Sequence, residues 1–132
     1  DAAHNQLIHR IIQTYGYPTK DIVGEEGLFD FWLFIQHQDL DIPLQDACIA
    51  HCDFVPKEKA MLSDRVLLHK GMKQVYGTQF HRVNGVLVPQ PIEDEAQVDM
   101  RRKEVGLETL EEYTETMHKR DDENKKIKDL AS

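Results

Sequence analysis

Apolar residues recur at helical spacing through much of the chain, and Gly or Pro stands wherever the spacing stops. Leu7, Ile8, Ile11, Ile12 and Tyr15 mark an amphipathic helix over about 3–15. Gly16-Tyr17-Pro18 ends it, because Gly caps a helix and Pro cannot continue one. Asp21 to Gly24 reads as a connector, and Glu25-Glu26 suit the positive first turn of the next helix. That second helix covers about 25–38 and is apolar at nearly every position from Leu28 to Ile35. A helix apolar on all sides belongs at the centre of a domain. It runs into Gln36, His37, Asp39 and Asp41, which demand hydrogen-bond partners or water.

Ile42-Pro43 breaks the chain, since the residue before Pro is pushed out of the α region. A third helix over about 43–54 has Leu44, Ala47, Cys48 and Ile49 as its apolar side. Pro56 opens a fourth that runs to about Lys70, with Asp64 and Arg65 lodged among Met61, Leu62, Val66, Leu67 and Leu68. The texture then alternates, and Asn84-Gly85 between β-branched runs predicts a hairpin over about 75–88. A fifth helix is expected over about 95–105. Thr109 to Glu112 has the form of a capping box opening a last helix, almost wholly charged beyond His118. The pattern therefore predicts a mainly α fold, five to six helices around the apolar one, with a single small hairpin. Residues 1–118 form the domain and 119–132 a charged helical extension or tail.

Charge narrows the partners. With 24 acidic residues against 16 Lys and Arg, and a net charge of −8, a general nucleic-acid binder is disfavoured. No apolar run approaches the roughly 20 residues of a membrane span. Neither does the start show a secretory pattern. A cytoplasmic protein is expected, although the start at Asp1 leaves open a removed signal peptide or a leading segment. Cys48 and Cys52 are spaced i,i+4, where a bridge would close a trivial loop, and buried thiols are the expectation. With His51 they make three ligands on one turn, a poor zinc site. His37, Asp39 and Asp41 have the ligand types for a divalent cation but no metal spacing, so neither metal nor cofactor is expected.

Candidate chemistry gathers in four polar groups. His37 is a general-base candidate, with Asp39, Asp41 or Asp64 to orient it; the bland alternative is a histidine bridging two helices. Arg65 in an apolar helix needs an acid, and Asp39 or Asp99 suits better than its neighbour Asp64. Its bland alternative is an ion pair fixing how helices meet. Arg65 with Arg101 and Arg102 has the forks for an anion clamp. Gln36, Tyr76, Thr78 and Gln79 are candidate binding groups, and Gly77 marks a backbone conformation that a side chain would forbid. Two functions follow. One is a binding or regulatory module with a polar cleft around His37, Asp39, Asp64 and Arg65 that engages a protein. The other is a small hydrolase-like enzyme with His37 as base, Asp39 or Asp64 orienting it, and Arg65 holding an anionic substrate.

Read in order, Tyr15-Gly16-Tyr17-Pro18, Val23-Gly24-Glu25, Trp32-Leu33-Phe34-Ile35-Gln36-His37-Gln38-Asp39-Leu40-Asp41, Asp64-Arg65-Val66, Gln74-Val75-Tyr76-Gly77-Thr78-Gln79, Pro91-Ile92-Glu93-Asp94 and Val98-Asp99-Met100-Arg101-Arg102 resemble the pattern of an uncharacterised bacterial family of unknown function. The resemblance covers about residues 1–115. It departs at Tyr17, where the family has Trp, and in the further helix that the family carries ahead of the position of Asp1. Lacking such a helix, part of the core would be uncovered. The resemblance implies a fold and no activity.

Overall fold

Four helices make up the first half of the chain in the computed structural model, which describes residues 2–131. The chain divides between Met72 and Lys73 into two compact units. The first holds α1 (Ala2–Tyr15), α2 (Lys20–Gln36), α3 (Ile42–His51) and α4 (Pro56–His69). Their ends follow the expected punctuation. Gly16 takes φ +82, Asp41 caps α3, and Pro43 and Pro56 stand in first turns where no amide is needed. The connector before α2 differs from expectation. Ile22 and Val23 amides bond to Thr19 O, so Lys20 to Val23 already form a turn of helix. Gly24 then interrupts it at φ 77, ψ 170, a conformation that only Gly adopts readily.

The core of this unit is Ile8 of α1, Leu28, Trp32 and Ile35 of α2, Leu44 and Cys48 of α3, then Cys52, Phe54, and Leu62 and Val66 of α4. Trp32 is 5% exposed and donates its indole N–H to Glu58 O at 2.8 Å. Both cysteines are free and buried. A hydrogen bond with Cys52, together with burial, pushes the Cys48 thiol far above the usual range, where it is inert.

Burial of α2 on all sides is not what the fold delivers. Leu28, Trp32 and Ile35 form one buried stripe, while Phe29, Leu33 and Phe34 are 41%, 39% and 52% exposed. The neighbouring helices of this unit cover only that stripe. On α1 likewise, Ile8 is buried and Ile12 half-buried, but Leu7, Ile11 and Tyr15 are exposed.

The second unit holds β1 (Phe80–Val83), β2 (Val86–Pro89), a 3-10 turn (Glu95–Gln97), α5 (Val98–Glu104) and α6 (Leu110–Ala131). Asn84 at φ 52 and Gly85 at φ 80 make the type I′ turn of a tight antiparallel hairpin, with Val83 opposite Val86. The first strand starts later than the alternation suggests, because Gln74 ties up the preceding loop. Its side chain accepts from Gln79 N and donates to Gln79 O and Gln90 O, each at 2.9 Å. At α6 the capping residue forms as expected, Glu112 N donating to Thr109 Oγ1. α6 seats on the hairpin through Phe80 against Tyr113, His118 on Leu87 O, and Arg82 on Asp121. Beyond Asp121 it continues as helix with every described residue exposed. Among the described residues, no helix is long and apolar enough to cross a membrane.

Candidate functional site

The segment from His37 to Asp41 is where the helices of the first unit meet. α2 ends as the His37 and Gln38 amides bond back to Phe34 O and Ile35 O, and Asp41 N closes a turn onto Gln38 O. Asp39 and Asp41 flank Leu40 in this turn, and their carboxylates go to different neighbours. Asp39 takes a two-pronged bond from Arg65 of α4, Nε to Oδ1 at 2.8 Å and Nη2 to Oδ2 at 2.7 Å. His69, one turn on, brings Nδ1 to 3.6 Å from Oδ1. Asp41 accepts from Leu44 N at the start of α3 and from Asn5 Nδ2 of α1 at 2.9 Å, with His9 Nε2 at 2.7 Å. Gln45, fully buried, donates to Ile35 O and reaches Asp39 Oδ1. Two carboxylates thus pin α1, α3 and α4 to the end of α2.

The electrostatics match that clamp. The Arg65 guanidinium holds the Asp39 carboxyl below the usual carboxylate range, and Asp39 in turn raises Arg65. Burial pushes the Asp41 carboxyl up, but hydrogen bonds from Asn5, His9 and Leu44 N outweigh it and leave it lowered. Both carboxylates are therefore charged at neutral pH.

Beside the clamp lies a pocket of about 320 Å³ lined by Ala2, Asn5, His37, Gln38, Asp39, Leu40 and Asp41. His37 stands exposed on its wall, and its ring has no hydrogen-bond partner among the described residues. Gln36 is half-buried just before it, at the last position of α2. Asp64 lies elsewhere, fully buried in α4. The structure thus gathers His37, Asp39 and Asp41 at one rim and pairs Asp39 with Arg65. Asn5, His9 and His69 complete the clamp without having been singled out by sequence reasoning. A signal for them exists: Asn5 and His9, like Arg65 and His69, are i,i+4 pairs that share a helix face. No three His, Cys, Asp or Glu side chains among the described residues gather as a metal site would require.

The remaining candidates belong to the second unit. Arg101 donates through Nε to Val75 O at 2.9 Å and through Nη2 to Glu93 O and Asp94 O. Arg102 is fully buried, donates to Glu108 O at 2.6 Å and Tyr76 O at 2.7 Å, and lies 4.9 Å over the Tyr113 ring. Thr78 is buried and accepts from Gln79 Nε2, whose backbone is held by Gln74. Tyr76 is half-buried and lends its carbonyl to Arg102. Gly77, at φ +65, sits so close to Leu110 and Ile92 that an added Cβ would meet them at 3.0 and 3.1 Å. Here Tyr76, Gly77 and the two arginines serve the loop's own backbone.

The chain belongs to a family of unknown function (DUF6624), whose model matches residues 1–128. No curated protein and no solved structure matches it.

Proposed function

We propose that this member of the family is a binding or regulatory module that engages a protein partner through its first unit. The observation that carries this reading is the number of large apolar side chains left open on α1 and α2: Phe29 and Leu33 on one flank of the α2 core stripe, Phe34 on the other, and Leu7 and Ile11 on α1. Monomeric soluble proteins rarely expose contiguous large apolar groups without an interaction to serve. The clamp at Asp39 and Asp41 supports it by holding α1 beside α2, and the His37 pocket extends the contact with polar groups at one end. Free thiols at Cys48 and Cys52 suit a reducing, cytoplasmic setting.

The hydrolase reading has less support. His37 lacks an orienting carboxylate, and Asp39 is already held by Arg65. Both bonded nitrogens of Arg65 are spent on that carboxylate, which also weakens its case as an anion holder. The test is site-specific photocrosslinking of the full chain in cells, with a benzophenone side chain at position 33 or 34 and, as control, at Asp46 on α3. Adducts of one defined mass are expected from 33 and 34 and not from 46. They should vanish when Leu7→Asp and Ile11→Asp are added. Equal labelling at all three positions, or none at 33 and 34, overturns the reading.

A further inference from the structure

The pocket beside the clamp is bordered by acceptors and not by cations. Among the described residues no Lys or Arg lines it, and Arg65 is committed to Asp39. Asp41 has no Lys or Arg of its own. Its oxygens accept from Leu44 N and Asn5 Nδ2, with His9 Nε2 at 2.7 Å. A carboxylate has about four acceptor sites, so one place remains. Gln38 supplies a second acceptor. It is 7% exposed and lines the pocket, and its Nε2 reaches Phe34 O at 3.5 Å. Its Oε1 accepts no hydrogen bond among the described residues, yet it is not sealed from solvent as the buried Oε1 of Gln45 is. A side chain this buried, with an unused carbonyl open to a cavity, is set to receive a donor. α2 also ends here, at the negative end of its dipole, and the Gln36 and His37 carbonyls accept no hydrogen bond among the described residues.

We propose that this pocket binds a primary ammonium group, held between the Asp41 carboxylate and the Gln38 side-chain carbonyl. The chemistry is that of an alkylammonium, whether of a free amine or of a lysine side chain. An ammonium concentrates three donors at one point and takes acceptors at about 2.9 Å. A guanidinium fork needs both oxygens of a carboxylate, and those of Asp41 are already engaged. A divalent cation draws oxygen ligands in to about 2.0–2.6 Å. No three His, Cys, Asp or Glu side chains among the described residues gather to supply them. Leu40, fully exposed at the rim, gives the alkyl chain an apolar wall. A volume of about 320 Å³ lies at the small end for ligand pockets, in keeping with a few carbons behind the charge. The site uses none of Phe29, Leu33 and Phe34, so it and the protein-binding reading can fail separately.

The test follows the side-chain amide resonances of Asn5 and Gln38 by NMR while the full chain is titrated with pentylamine, and with pentanol as its uncharged match. Pentylamine is expected to shift both amides saturably, and pentanol is not. Gln38→Met keeps the length and removes the carbonyl. Asp41→Asn removes the charge while keeping an oxygen for Leu44 N. Each should weaken pentylamine at least tenfold, read at Asn5. Asp46→Asn on α3 should leave it unchanged, although it takes the same charge from a chain of net −8. If Asp41→Asn loses the fold, Gln38→Met decides alone. An equal loss with Asp46→Asn would reduce the effect to the general field of the chain and overturn the proposal. No saturable shift, equal shifts by pentanol, or displacement of pentylamine by an equal concentration of calcium chloride would overturn it too. So would loss of binding in a chain extended upstream of Asp1, which would give the pocket to the protein's own residues. Nα-acetyl-lysine methylamide separates the two sources. Binding as tight as that of pentylamine assigns the site to a partner's lysine, and binding of pentylamine alone assigns it to a free amine.

Discussion

The two units solve the problem of holding a small fold together in opposite ways. The first rests on an apolar core centred on Trp32, Ile35 and Leu62, and its part-buried Asp39–Arg65 pair sits at the junction where the helices meet. Among the described residues, the second buries only Ile92 and Val98 of its apolar ones, so Gln74, Thr78 and Arg102 make up a far larger share of its interior than Gln38, Gln45 and Asp64 do of the first. Its long polar side chains supplement the few backbone partners of the loop before β1, where Gln74 bridges to Ile92 and Gln90 N bonds to Gln79 O, by satisfying further carbonyls. The contrast teaches where function has room. In the second unit, Arg101 and Arg102 are bound to backbone, whereas the first has apolar surface to spare.

Trp32→Ala tests the apolar side of this contrast and should have the largest effect, about 3–5 kcal/mol, the usual cost of emptying an aromatic core site. Chemical denaturation of the full chain measures it. A loss below about 1 kcal/mol would remove α2 from the centre of the first unit.

Arg102→Met tests the polar side. It keeps much of the stem but leaves the carbonyls of Tyr76 and Glu108 without their donor, at about 1–3 kcal/mol for each group left buried. Amide exchange should rise across residues 73–121 and stay unchanged in α2 to α4. Faster exchange throughout the chain would mean that the two units do not unfold separately.

Arg65→Met should cost less, about 1–2 kcal/mol, because Arg65 and Asp39 are only part-buried. Its signature is in acid. Asp39 has a lowered folded pKa, so its contribution is fully present above the unfolded value and is lost as pH falls through the folded one. Asp39→Asn should therefore flatten the loss of stability below about pH 4, and Arg65→Met should do the same. An unchanged acid limb in both would deny the clamp its role.

Smallest of all, a chain ending at Asp122 should melt with the parent, while one ending at Lys119 should melt lower. The difference is Asp121, held by Arg82 and Lys125, whose carboxyl lies well below the usual range at about 2. Equal melting of both cuts would show that this surface pair adds nothing.

Much of this was legible in the residues. Helix ends at Gly16, Pro43 and Pro56, the Asn84-Gly85 turn and the Thr109 cap are local chemistry, decided within four or five residues of each position. The need of Arg65 for a distant acid was legible as well, and Asp39 was one of the two named. Which acid, and that His9 and His69 would join, depended on how helices cross, because i,i+4 spacing names a face and not its neighbour. The open side of α2 was hidden for a related reason. A run of apolar residues states what burial would gain, but only the number of helices packed around it decides which of them are covered. Tertiary structure likewise made Arg101 and Arg102 into supports for a loop, since nothing local in Val98 to Arg102 shows which carbonyls lie within their reach.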